Sequence, residues 1–177
     1  MDTTRKTILE HAGRLSVSLG EVPSLNALAK AAGISKGGLM HHFPSRDALL
    51  TAMVADGIEE VDQALNGASG GIHTLRTWLK LSIPDKSGVV LFQSMAAIFF
   101  AGKSDHGQIE EQVLQATKRW EALLKKELGS TQTARAAILV GDGLLYGAIS
   151  GTISEKNASS YLSAAEAAVG ALMEAGR

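Results

Sequence analysis

A chain of 177 residues in which 45% are hydrophobic can build a sizeable core, which excludes a mainly disordered state. It contains no cysteine, so disulfide frameworks and thiolate metal sites are excluded, in keeping with a reducing cytoplasm. The formal net charge of -1 gives no global basic signal for nucleic acid, and the skew is slight: residues 1–50 hold six Lys/Arg against four Asp/Glu, the remainder eleven against fourteen.

The polar start MDTTRKTILEHAGRL lacks the apolar core of a signal peptide. The longest uncharged run, between Lys86 and Lys103, falls short of the roughly 20 residues that a membrane-spanning helix needs. The expectation is a soluble, cytoplasmic protein with no membrane partner. Helical periodicity dominates from there. Ile8, Leu9, Ala12, Leu15 and Leu19 form one stripe at spacings of three and four, with Gly20 as its stop. Leu50, Val54, Ile58, Val61 and Leu65 repeat the pattern, as do Ile109, Val113, Ala116, Trp120, Leu123 and Leu128. Tyr161, Leu162, Ala165, Ala168, Val169, Leu172 and Met173 form the last stripe. GEVPS, FPS, NGASGG, IPDKSG, AGKSDHG, GSTQT and SEKNASS separate the segments, and no alternating β-branched run competes with them. This is the pattern of an all-α protein of about nine helices. A small module over residues 1–47 precedes a larger domain over 48–177, with the fourth stripe able to bridge both.

Between Ser24 and Phe43 lie two short helical segments joined by AGIS. Leu25, Leu28 and Ala29 share a face of the first, and Leu39 and Phe43 a face of the second. Gly33 stands where a left-handed turn is easiest without a Cβ. Ser24 and Ser35 suit the two N-caps, and Ser45 suits the next, with Asp47 in its first turn. This is the arrangement of a helix-turn-helix (24–43), whose second helix enters the major groove.

With an amphipathic helix ahead of it, the run SLNALAKAAGISKGGLMHHFPSRDALL resembles the DNA-binding domain of the TetR family of bacterial repressors, over about residues 5–54. The later helices resemble that family's ligand-binding and dimerisation domain in architecture alone. The resemblance implies a set of DNA-facing residues that includes Ser24. Ser35 and Lys36 would start the recognition helix near bases or phosphates. Gly37 and Gly38 would let its backbone approach the duplex. Met40 would touch a thymine methyl, His41 a base or a phosphate, and His42 a backbone phosphate. Arg46 would clamp a phosphate beside the free N–H groups of the fourth helix. The family carries a hydroxyl residue where Gly38 stands and a tyrosine where Met40 stands, so base selection here must differ. A binder that has lost its DNA contacts is the alternative those two positions leave open. Neighbouring helical residues point about 100° apart, so His41 and His42 do not form a metal site, and no metal or cofactor is expected. There is no nucleophile elbow, phosphate loop, HExxH or cysteine–histidine set, so no catalytic residue is assigned and no enzyme is expected.

The larger domain gathers most of the large side chains. Phe92, Met95 and Phe99 recur on one helical face, a pattern shared by core and pocket linings. The resemblance implies a small-molecule cavity among the middle helices, lined by Trp78, Phe92, Met95, Phe99 and Trp120, with Gln93, Asp142 and Tyr146 as polar anchors. Asp142 stands alone in the apolar AAILVGDGLLYGAISG, and a place on a rim or a dimer face suits it equally. Gly143, Gly147 and Gly151 recur every fourth position and permit close helix approach. The family pairs its last two helices with those of a second subunit. That implies a homodimer interface on about 134–151 and 160–174, with Leu139, Leu144, Tyr161, Leu162, Val169 and Leu172 as apolar contributors. Packing of the same stripe within one subunit is the alternative. The expected function is a ligand-responsive repressor that binds a pseudopalindromic operator as a dimer and is released by a small, largely apolar effector.

Overall fold

The computed structural model describes the backbone of residues 3–101 and 107–175, and the side chains of 4–93 and 107–175. Among the described residues the chain is all helix, in nine segments and no strand. They are α1 (Thr3–Leu19), α2 (Leu25–Ala32), α3 (Lys36–His42), α4 (Arg46–Asn66), α5 (Ile72–Leu81), α6 (Lys86–Ala101), α7 (Gly107–Leu128), α8 (Thr131–Ile149) and α9 (Ala158–Ala175). Among the described residues, no helix is long and apolar enough to cross a membrane.

Local chemistry sets the boundaries. The side chains of Ser24, Ser35, Ser45 and Ser130 each accept from the backbone N–H three residues ahead, at 3.2, 3.0, 3.0 and 2.9 Å, so four helices start on a serine cap. After α1 and after α2 the backbone turns left-handed at Gly20 (φ 72°) and Gly33 (φ 68°), where a Cβ would be strained.

Two compact units are built from these helices, each discontinuous in sequence. The first comprises Met1–Gly57 with Asp85–Glu110, the second Ile58–Pro84 with Glu111–Arg177. Both units share α4 and α7, so residues 47–48, where the sequence suggests a boundary, lie in the first turn of α4. In the first unit, Ile8, Leu9 and Ala12 of α1 are buried with Val22, Leu28, Leu39, Phe43, Leu49 and Leu50. Helix α6 packs on α1, where a Cβ on Gly13 would come to 3.3 Å from Ser87 Oγ.

The second unit is organised around Trp78 of α5. Its indole N–H donates to the Ala137 carbonyl at 2.8 Å, and its ring lies 5.6 Å from that of Trp120 at an interplanar angle of 54°. Trp120 in turn donates to Asp62 Oδ1 at 2.7 Å, and the other carboxylate oxygen accepts from Arg119 at 2.7 Å. Helices α5 and α8 approach closely because Gly141 has no side chain. A Cβ there would lie 2.6 Å from Trp78 Nε1 and 2.7 Å from Ser82 Oγ. The sequence pattern pointed instead to Gly143, Gly147 and Gly151 as one smooth stripe, and the structure gives them three different settings. Gly147 does abut a neighbour, Ile153, at 2.6 Å from the position of a Cβ. Gly143 faces open space, and Gly151 lies beyond the end of α8 with φ 77°. Helix α9 closes the unit over Ala165 and Val169, and Arg76 of α5 pairs with Glu166 of α9 at 2.6 Å on the surface.

Replacing Gly141 by alanine should lower the unfolding free energy by about 1–3 kcal/mol, the usual penalty of overpacking. Gly57→Ala, in mid-α4 with nothing within 4 Å of a new Cβ, should raise it by up to about 1 kcal/mol through helix propensity alone. Urea unfolding of both variants checks the contrast; similar shifts would mean that the α5–α8 approach does not require a glycine.

Candidate nucleic-acid interface

Helix α3 is seven residues long and is anchored on one side only. Leu39 and Phe43 are fully buried and form its inner edge. Lys36, Gly37, Gly38, Met40 and His41 are exposed, Met40 at 42%, and His42 is half-buried. The exposed surface therefore carries one cation, one thioether, one imidazole and bare backbone. Ser35 holds the first turn by accepting from Gly38 N–H, and a Cβ on Gly38 would press to 3.2 Å from Ser35 Oγ. The rings of His41 and His42 meet edge to face at 5.6 Å. Among the described residues there is no group of three His, Cys, Asp or Glu placed to hold a metal ion. Ser24, at the start of α2, is exposed and caps Ala27 N–H.

Two arginines hold this unit together. Arg46, expected to clamp a phosphate, donates through Nε and Nη2 to the Val22 carbonyl at 3.3 and 2.7 Å. It thus ties the start of α4 to the loop between α1 and α2, and a phosphate would have to share the guanidinium with that carbonyl. Arg5 was not singled out by the sequence pattern. Its Nη1 donates to the His42 carbonyl at 2.9 Å, and its guanidinium carbon sits 4.5 Å from the Phe43 ring centroid. The signal was present, because Arg5 precedes Ile8, Leu9 and Ala12 by three, four and seven positions and so shares their inward face.

The residues expected to line a pocket are divided between the two units. Phe92 (half-buried) and Gln93 (exposed) stand on α6 in the first, while Trp78, Trp120, Asp142 and Tyr146 belong to the second. The side chains of Met95 and Phe99 lie outside the described residues. Trp78 and Trp120 pack on each other with both indole N–H groups already bonded. Tyr146 is 73% exposed on the outer face of α8, in line with Leu139 at 71% and with the exposed Asp142 and Gly143. On α9, Tyr161 and Leu172 are also exposed, at 41% and 40%, and Leu162 is half-buried. Three residues expected at a subunit interface point instead into their own unit: Leu144, Val169 and Gly147 pack against its core. Their positions on α8 and α9 face α5 and the segment around Ile153, which periodicity on one helix cannot reveal.

The apolar helix surface around Asp142 desolvates its carboxylate and raises its pKa. Folding therefore binds a proton between the ordinary aspartate range and that raised value, so this group's contribution worsens as pH rises through the window. Asp142→Asn removes the effect. The urea midpoint of the variant should gain on that of the native chain between acid and neutral pH; a constant difference would show that the carboxylate carries no such penalty.

Residues 23–53, which span α2, α3 and the first turns of α4, match the model of the bacterial regulatory proteins of the tetR family. No curated protein sequence matches the chain. The fold of nearly the whole chain is similar to solved structures at low identity. A transcriptional regulator from Rhodococcus sp. Rha1 superposes with a TM-score of 0.75 and 21% identity, over 98% of this chain and 97% of that one. GusR of Salmonella enterica gives 0.69 and 19%, over 98% of each chain. AibR, solved in complex with isovaleryl coenzyme A and operator DNA, gives 0.62 and 16%, over 94% of this chain and 96% of that one. Residues 23–53 therefore carry the N-terminal motif of the bacterial regulatory proteins of the tetR family, on a fold similar to that of solved transcriptional regulators.

Proposed function

We infer that the protein is a ligand-responsive transcriptional repressor of the cytoplasm, which binds a pseudopalindromic operator as a homodimer and leaves it when a small, largely apolar effector binds. One observation carries the reading. The exposed side of α3 holds Lys36, Met40 and His41 around two glycines, while its other side is locked into the first unit by Leu39 and Phe43. A helix presented in this way is suited to lie in a major groove with its N-terminal turn toward the bases. Lys36 then supplies charge to a phosphate or a guanine edge, Met40 an apolar contact to a thymine methyl, and His41 a hydrogen bond. Ser24, Ser35, His42 and Arg46 border that surface, and Arg46 contributes only the N–H groups that Val22 does not use.

A second copy is the partner proposed for the outer face of α8 and α9, where Leu139, Tyr146, Tyr161 and Leu172 expose apolar surface around Gly143 and Asp142. An operator with two half-sites one helical turn apart follows from a two-fold dimer. That an effector is bound at all is proposed by analogy with AibR, a protein of this fold solved with both isovaleryl coenzyme A and operator DNA. Its apolar character rests on the aromatic side chains of the middle helices and not on that polyanionic ligand. Release requires only that the effector bind one conformation better than the other, and the loss of DNA affinity cannot exceed that difference. The reading is a regulator and not an enzyme, and it rests on the motif match and the presentation of α3.

Titrating the duplex that flanks the protein's own gene should show specific binding that weakens steeply with salt, by about a thousandfold between 50 and 200 mM for some six phosphate contacts. Binding that ignores salt, or none on any duplex, removes the DNA-binding proposal. Lys36→Ala combined with His41→Ala should erase the preference for the specific site while leaving helicity unchanged; a preference that survives assigns base reading to other residues. Leu139→Arg combined with Tyr146→Glu should convert the protein to a monomer in sedimentation. A dimer that persists would place the subunit interface on another face.

A further inference from the structure

Helix α3 ends at His42; the Leu39 carbonyl of its last turn accepts from the Phe43 N–H at 2.9 Å, and the carbonyls beyond it have no partner inside the helix. One of them, that of His42, accepts from Arg5 Nη1 at 2.9 Å, across 37 positions of sequence. The same guanidinium covers the ring of Phe43, 4.5 Å from its centroid, and Phe43 is the fully buried residue at which the helix stops. A cation at this point acts in three ways. It satisfies an orphan carbonyl, it opposes the negative end of the helix dipole, and it packs on the aromatic ring that plugs the helix into the core. The start of the helix needs no such help, since Ser35 caps it. At the far end the capping residue Phe43, in extended conformation, donates its backbone N–H to the Leu39 carbonyl and has no side-chain donor for the carbonyls beyond it.

We propose that Arg5 is the positioning residue of the recognition helix: it fixes the C-terminal end of α3, and operator selection depends on it although it does not read DNA. The proposal rests on the reading of α3 as the DNA-facing element. Met40 and His41 sit in the last turn of α3, next to the carbonyl that Arg5 holds. A shift at that end displaces both, whereas Lys36 stays beside its cap. Half-buried Arg5 spends Nη1 on the His42 carbonyl and lays its guanidinium over the Phe43 ring, so its charge acts on the end of α3.

The test compares the full chain with Arg5→Met, which keeps the length of the side chain and removes donor and charge, and with Arg5→Lys. Amide hydrogen exchange is read in α3, α2 and α8, and binding is read on the flanking duplex and on an unrelated one across a salt series. In Arg5→Met the amides of Leu39, Met40 and His41 should exchange about tenfold faster or more, with those of α2 and α8 unchanged, as expected for loss of a hydrogen bond to a charged group. The ratio of specific to non-specific affinity should fall about tenfold with the salt slope preserved, because no phosphate contact is lost. Arg5→Lys should recover part of both effects, since an ammonium can donate to the His42 carbonyl but covers the Phe43 ring less well. Unchanged exchange in α3 overturns the proposal, and so does equal acceleration in all three helices, which would make Arg5 a general stabiliser. A salt slope reduced by about one, with equal loss on both duplexes, would make Arg5 a phosphate contact. If the native chain binds no duplex, the regulator reading falls, and the exchange data still decide whether Arg5 holds α3.

Discussion

A seven-residue helix with two glycines cannot hold its own shape in water, and the N-terminal unit is arranged around that fact. Isolated helices shorter than about 12 residues are marginal even with good helix formers, and two glycines remove about 2 kcal/mol of propensity relative to alanine. The shape of α3 therefore comes from outside it. Ser35 satisfies its first turn, Leu39 and Phe43 bury its inner edge, and Arg5 reaches from α1 to its last carbonyl. Arg46 does comparable work one loop earlier by holding the Val22 carbonyl. Each of these supports comes from the protein side, so the other side of α3 is left almost bare.

That bareness shapes how DNA can be read. Under the proposed function, Gly37 and Gly38, which put backbone where other helices put side chains, would permit close approach to a duplex and leave Lys36, Met40 and His41 to discriminate. Few discriminating groups make their placement matter more. A displacement that a helix rich in base contacts would absorb falls here on two side chains near one end.

The second unit solves the opposite problem. Apart from the ten-residue α5, its helices are much longer than α3, and the difficulty is to bring them together around Trp78. Gly141 allows α8 to lie against that indole, and the indole N–H finds the Ala137 carbonyl on the same helix, so packing and hydrogen bonding are settled at one place. The outer face of α8 then exposes Leu139 and Tyr146 with Asp142 between them. These apolar side chains belong to the face proposed for a second copy of the chain. The desolvated carboxylate of Asp142 is a local consequence of standing among them.

The helical class, the helix order, the serine caps and the two-helix motif were all legible in the sequence, because each follows from spacing or from chemistry within a few residues. Ser24, Ser35 and Gly33 occupy positions that local backbone geometry dictates, and Leu39 and Phe43 reveal the inner edge of α3 by their interval alone. What spacing could not reveal is which partner each face meets. Gly147 and Gly143 are four residues apart in one glycine pattern, yet one abuts Ile153 and the other faces open space. Leu139 and Leu144 are both apolar residues of α8, yet one is 71% exposed and the other 5%. Arg46 reads as a phosphate clamp and Arg5 draws no reading until the carbonyls of Val22 and His42 are brought to them. The sequence by itself determined where helices begin, end and present apolar faces, since those depend on neighbours along the chain. Only the tertiary structure decided which polar groups are already bonded inside and which remain free to act, because those bonds join residues up to 59 positions apart.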